Sequence, residues 1–222
     1  MDRSIIDVPL DWFGIEAQDD WHIDTRGKSL GEGVTGDGQV VYGNQPRWVV
    51  NVKMPIFADV RARAWRVVTA KQRGRVNVWR VRAVDPFNPA AIATGATFSD
   101  GSTFSDGSTF SASLTAPVLA AAAAGDTRIS FNGSYVDDAL DGGMLFSIDD
   151  WLYMAQGVEG TGTSAVVTVE PPLRRAVTTS QELNLNPTVL VVFESDMEGR
   201  LSLSAPAFGK SSASLIEWTN RP

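Results

Sequence analysis

A chain of 222 residues, 43% hydrophobic and 20% charged, has the composition of a globular protein, and its length suits one large all-β domain or two small ones. With no cysteine and a single histidine, His22, it excludes disulfide frameworks, thiolate zinc sites and multi-histidine metal centres, and it excludes histidine-based triads unless His22 serves. The net charge of −7 argues against a nucleic-acid binder, and no apolar run approaches the ~20 residues that span a bilayer.

The opening MDRSIIDVPLDWF has no apolar h-region and is not expected to be a secretory leader. Ser4–Glu16 and Trp21–Asp24 read as short strands around the Gln-Asp-Asp turn. Gly27–Gly38 (GKSLGEGVTGDG) is a loop or hairpin turn. Its glycines match neither GxGxxG before a helix nor GxxxxGK[ST], because the strand Gln39–Tyr42 follows.

The strongest local signals lie between residues 47 and 84. Arg47–Lys53 alternates as a half-buried strand, with Trp48, Val50 and Val52 on one face. Pro55 stops it. Apolar residues at Phe57, Val60, Ala64, Trp65 and Val68 then predict an amphipathic helix over about 57–72, ended by Gly74 behind Lys71 and Arg73. Arg75–Ala83 returns to strand alternation. Burying Phe57, Val60, Trp65 and Val68 on a sheet would contribute roughly 1.5–3 kcal/mol each. This helix-on-sheet unit is the predicted core of the first domain, and it holds no catalytic motif.

Two prolines in Asp85-Pro86-Phe87-Asn88-Pro89 close that unit. TFSDGSTFSDGSTF at 97–110 is the one internal repeat. Its Asp100-Gly101 and Asp106-Gly107 are hairpin dipeptides, with Phe98, Phe104 and Phe110 on one phase. Two copies are too few for a solenoid, which needs about three, so the repeat reads as a spacer or interaction loop. Residues 112–125 are either a short helix or an extended segment. From Asp126 short strands recur at Thr127–Phe131, Met144–Ile148, Trp151–Gln156, Ser164–Val169 and Leu190–Phe193, as in a small barrel or sandwich. The terminal strand ending Leu215-Ile216-Glu217-Trp218 is best used to complete the first sheet, making the first domain discontinuous.

Charge is unevenly placed. Residues 1–24 carry Asp2, Asp7, Asp11, Glu16, Asp19, Asp20 and Asp24 against Arg3 alone. Residues 61–82 carry Arg61, Arg63, Arg66, Lys71, Arg73, Arg75, Arg80 and Arg82 with no acid. One reading is a solvated helix face with intramolecular pairing. The other is a head-to-tail contact between copies that closes a ring, with Asp11, Asp19, Asp20, Arg61, Arg63, Arg66, Arg73 and Arg75 as subunit-interface candidates. A DNA-binding strip is opposed by the whole-chain charge.

Two acidic groups, Asp137-Asp138 with Asp141 and Asp149-Asp150, have the composition of a carboxylate pair or a calcium site, but adjacent aspartates beside glycines and before a strand fit solvated turns better. Of the seven tryptophans, Trp48, Trp65 and Trp79 are expected in the core, whereas Trp12, Trp21 and Trp151 stand beside aspartates and suit interfaces. Trp151 and Tyr153 are the candidates for a peripheral binding surface. No catalytic, cofactor-binding or metal-ligating residue is assigned, and the chain is not expected to be an enzyme.

Three stretches together resemble the distal tail protein of long-tailed bacteriophages: RGRVNVWRV at 73–81, FSDGSTFSDG at 98–107, and GDTRISFNG…LFSIDDWLYMAQGV…VTVEPPLRRAV at 125–177 before the closing LIEW. The resemblance implies an all-β chain with one packed α-helix. In it a β-sandwich-like ring domain (1–95 plus 196–222) would carry a repeat linker (96–116) and an inserted small β-barrel (117–195). It further implies six copies in a ring at the distal end of a tail, joining the tail tube protein to baseplate or tail-tip proteins. DNA would pass through the lumen without specific binding, and the inserted module would meet virion proteins or a host glycan. Such a protein is assembled in the host cytoplasm and ends in the virion. The alternative is a carbohydrate-binding or host-recognition module of a tail, without ring assembly.

Overall fold

The strand at Arg47–Lys53 lies near one edge of the main sheet, and its inward residues Trp48, Val50 and Val52 are buried as their alternation requires. A computed structural model describes residues 3–15, 17–32, 38–41, 45–85, 114–136, 138–204 and 208–221. The repeat at 97–110, with its Asp-Gly dipeptides, lies outside them, as do Asp2, Glu16 and Asp137. In chain order the first elements are β1 (Ile5–Asp7), α1 (Leu10–Phe13), β2 (Ala17–Gln18), β3 (His22–Asp24), β4 (Lys28–Glu32), β5 (Gly38–Val41), β6 (Arg47–Lys53), β7 (Phe57–Ala58), α2 (Asp59–Gln72) and β8 (Val78–Arg82). Then follow β9 (Thr115–Pro117), β10 (Arg128–Phe131), β11 (Leu145–Ile148), β12 (Trp151–Glu159), β13 (Ala165–Glu170) and β14 (Glu182–Asn184). Last come β15 (Thr188–Phe193), β16 (Ser202–Ser204), β17 (Phe208–Lys210) and β18 (Ser212–Glu217).

Two compact units result, one from Met1–Arg82 with Leu190–Pro222 and one from Ala83–Val189. The first is built on a seven-stranded sheet of order β1-β8-β15-β18-β6, with β2 and β3 both paired to β6. Strand β1 runs parallel to β8, with Ile5 opposite Val78. The C-terminal strand β18 lies between β15 and β6, the long-range position that its apolar alternation suggests. Leu190–Phe193, expected among the strands of the inserted module, belongs to β15 and pairs in this first sheet instead. A three-stranded sheet, β16-β17-β7, and the hairpin β4-β5 complete the unit.

Helix α2 is fastened to the sheet by aromatic rings. Trp65 meets Trp79 of β8 at 5.7 Å and 76°, and Trp79 meets Phe193 of β15 at 4.6 Å and 70°. Phe13 stands edge-on to Trp65 at 5.1 Å. Such T-shaped pairs add about 0.5–1.5 kcal/mol beyond the burial itself. The Trp65 indole N–H also donates to the Gly199 carbonyl at 2.7 Å.

The phase of the helix differs from the sequence expectation. Phe57 is buried because it belongs to strand β7, and the helix starts at Asp59. Its inner face is therefore Trp65 and Gln72, with Ala64 and Val68 partly covered, and Val60 is 58% exposed. Buried Gln72 donates from Nε2 to the Asn77 carbonyl at 2.5 Å, holding the turn that leads into β8. Arg73, at φ 52, caps the helix in the left-handed region, and its N–H donates to the Ala70 carbonyl.

In the second unit a six-stranded sheet runs β10-β13-β12-β11-β14-β9 around a core that includes Phe131, Phe146, Tyr153 and Val167. Asp149 and Asp150, at φ 49 and 63, form the two-residue turn between β11 and β12, where Ile148 pairs with Trp151. Residues 119–124 form no helix; Ala122 exchanges two backbone hydrogen bonds with Val177.

The expected closed architecture is corrected by these pairings. The protein is mostly β with one packed helix, but its sheets do not close into a barrel or ring. The end strands β9 and β10 of the second sheet meet through one bridge, Val118 to Phe131. Strand β9 is three residues long and ends in Pro117, which has no N–H to extend the pairing. In the first unit the sheet remains open between β1 and the β2/β3 edge. Helix α2, with its tryptophan, covers surface that a second full sheet would occupy in a sandwich.

Candidate functional site

Helix α2 carries three of the interface candidates, Arg61, Arg63 and Arg66, all exposed. The Arg61 guanidinium stands 5.9 Å from the centre of the Trp12 ring, which is itself 47% exposed and edge-on to Phe13. Arg73 and Arg75 follow in the exposed turn after the helix. The outward stripe of α2 is Val60, Arg63, Val67, Ala70 and Lys71, at the spacing of one helical face. Val60 and Val67 are 58% and 54% exposed, and Ile56 just before the helix is 64% exposed. Apolar residues recurring along an outward face, set among cations, have the composition of an interaction surface more than of a solvated one.

The acidic candidates lie on other elements. Asp11 is in α1. Asp19 and Asp20 form the exposed corner between β2 and β3, beside β6. Asp19 accepts from the Asn51 amide at 2.9 Å, and its N–H donates to the Asn51 carbonyl. Among the described residues no hydrogen bond or ion pair joins Asp19 or Asp20 to Arg61, Arg66, Arg73 or Arg75. Other acids of the N-terminal segment do pair within the chain, but with strand arginines. Asp7 meets Arg80 at 3.0 Å, and Asp24 meets Arg47 at 3.0 Å. The Asp24 carboxyl is held below its ordinary value, first by the Arg26 backbone N–H at 2.9 Å and then by the Arg47 guanidinium, while partial burial works against both.

Beside the C-terminal half of α2 is a groove of about 510 Å³. Thr69 and Ala70 form its helical wall, Phe193 its floor, and Gly199–Leu201 with Leu203 its far wall. Two glycines make this close approach sterically feasible. A Cβ on Gly74 (φ 66) would come 2.8 Å from Asp196 Oδ1, and one on Gly199 (φ 72) would come 3.0 Å from the Phe193 ring. Arg66 and Arg200 line the groove, as do Asp196 and Glu198. Both carboxylates are engaged internally. Asp196 accepts the Arg75 N–H at 3.1 Å, and Glu198 accepts the Ser214 N–H at 3.0 Å and the Ser195 hydroxyl at 3.3 Å. Sequence reasoning missed this groove. The Trp65–Gly199 hydrogen bond that draws Ser195–Gly199 against α2 spans 134 residues, beyond the reach of local periodicity.

In the second unit, Trp151 and Tyr153 are core residues, 6% and 1% exposed, which corrects their expected place on an open binding surface. The Tyr153 hydroxyl accepts the Arg174 N–H at 3.2 Å. Both residues border a cavity of about 340 Å³ whose rim includes Asp149, Arg175, Thr178, Ser180 and Gln181. The acidic groups do structural work. Asp149 accepts the Gln181 amide, Asp150 accepts the Thr188 hydroxyl at 2.7 Å, and Asp138 accepts the Gly162 N–H at 2.9 Å. Of the tryptophans expected at interfaces, Trp21 is buried and Trp12 exposed. His22 is exposed, with Nδ1 3.4 Å from the Asp20 carbonyl oxygen.

Compared with models of known protein families and with curated protein sequences, the chain has no match in either.

Proposed function

We propose that this chain is a structural virion protein of a long-tailed bacteriophage, self-associating head to tail into a ring at the distal end of the tail. The observation that carries the reading is the outward face of α2. Val60 and Val67 are left in water among Arg63, Arg66 and Lys71, while exposed acids sit on a separate edge at Asp19 and Asp20. Two different patches of opposite character on one subunit specify a heterologous contact, which closes into a ring when the rotation per copy divides the circle. The tail tube protein on one side and baseplate or tail-tip proteins on the other are the neighbours this reading requires. The chain acts as a building block and performs no reaction. Light scattering and negative-stain imaging of the purified chain test the reading: closed assemblies of about six copies support it, and a monomer at high concentration overturns it.

A second reading, a carbohydrate-binding or host-recognition module, is favoured by the cavity at Trp151. Its rim of hydroxyl, amide, carboxylate and guanidinium groups over an aromatic edge has the chemistry of a saccharide site. Glycan binding by a chain that stays monomeric would select this reading over ring assembly.

A further inference from the structure

We infer that the groove beside α2 receives the Asp19–Asp20 corner of a second copy of this chain. The inference rests on the reading of the chain as a self-associating subunit and names the two surfaces that meet.

The groove is built around unfilled donors. Arg66 and Arg200 line it, both are exposed, and among the described residues neither guanidinium has a hydrogen-bond or ion-pair partner. The groove's own carboxylates do not satisfy them. Asp196 is turned to the Arg75 N–H, and Glu198 to the Ser214 N–H and the Ser195 hydroxyl. Lys71, Arg73 and Arg75, all exposed, follow along the chain from the groove's helical wall at Thr69 and Ala70. Planar guanidinium donors of this kind are best met by a carboxylate, which can take two N–H groups at once.

The same chain supplies such a carboxylate. Asp20 is exposed at the corner between β2 and β3, and among the described residues its side chain has no partner. Asp19 next to it is oriented by Asn51 at 2.9 Å, and buried Trp21 anchors the corner from the other side. The corner is thus a preorganised acidic projection that orders few new groups on docking. Within one subunit it is joined to neither Arg66 nor Arg200. The complementary charges therefore remain for a neighbour, and pairing corner to groove repeats around a ring.

The test is a charge swap read by light scattering, with circular dichroism confirming the fold of each variant. Asp20→Arg alone and Arg200→Glu alone should each weaken association roughly tenfold or more. The two variants mixed should assemble, because each corner then finds an opposite groove only on the other variant. The double variant Asp20→Arg/Arg200→Glu should assemble by itself. Single variants that assemble like the parent, or that are not rescued by mixing, overturn this inference while leaving ring assembly standing. A parent chain that is itself monomeric removes both.

Discussion

Replacing Trp65 by phenylalanine should destabilise the first unit by about 2–4 kcal/mol. The indole N–H that donates to the Gly199 carbonyl at 2.7 Å is lost, and Gly199 is buried, so water cannot readily replace the donor. Leaving a buried acceptor unpaired costs about 1–3 kcal/mol. Removing roughly three ring atoms from a fully buried site adds about 1–2 kcal/mol, lessened by any collapse of the pocket. The remaining six-membered ring keeps much of the contact with Phe13, Phe57 and Trp79, so the variant should still fold. Urea titration followed by near-ultraviolet circular dichroism gives the free-energy change. Amide hydrogen exchange gives the local consequence, since residues 195–203 lose their tether to α2 and should exchange faster. A loss below about 0.5 kcal/mol with unchanged exchange would refute the assignment of Trp65 as the clamp between helix and groove wall.

Gly199→Ala should destabilise by more than 1 kcal/mol or so, because φ is 72 and the new methyl would lie 3.0 Å from the Phe193 ring; chemical denaturation checks it. Glu217→Ala should cost about 1–3 kcal/mol by taking from the buried Trp48 N–H its acceptor at 3.2 Å, and thermal unfolding would register the drop. Asp24 gives a pH signature. Its folded carboxyl binds a proton less readily than the unfolded one, so its contribution is present above the ordinary value of 3.8 and is lost as pH falls through the lower folded value. The Asp24–Arg47 pair is about a third exposed, so that contribution is under about 1 kcal/mol. Asp24→Asn should therefore unfold at lower urea than the parent at pH 6, and the gap should narrow in acid.

The readable parts of this chain are those in which local periodicity and burial agree. Trp48, Val50 and Val52 alternate and are buried in alternation, and the stretch Ala64–Val68 has a helical face around Trp65. The error at Val60 came from counting Phe57 into the helix. Phe57 is buried from an extended strand, and shifting the helix start to Asp59 turns Val60 outward. Gln72 could not be read as an inner residue, because its burial depends on the Asn77 carbonyl across the following turn. Barrel closure was equally inaccessible. Short strands with turn residues are common to open and closed sheets, and the decision lies in how far the end strands pair. Here the end strands meet only at the isolated bridge between Val118 and Phe131. Trp151 looked like a surface residue from its aspartate neighbours, yet Asp149 and Asp150 are the hairpin turn that delivers it into the core. The candidate interface was legible as charge, in the run from Arg61 to Arg75, but its groove is made by segments distant in sequence.

The particle mass of the purified chain, measured by light scattering across a concentration series and imaged by electron microscopy, tests the central claim most directly. Head-to-tail assembly predicts closed rings of about six subunits that loosen as salt screens the acidic and basic patches. A single-subunit mass at every concentration and ionic strength would contradict it.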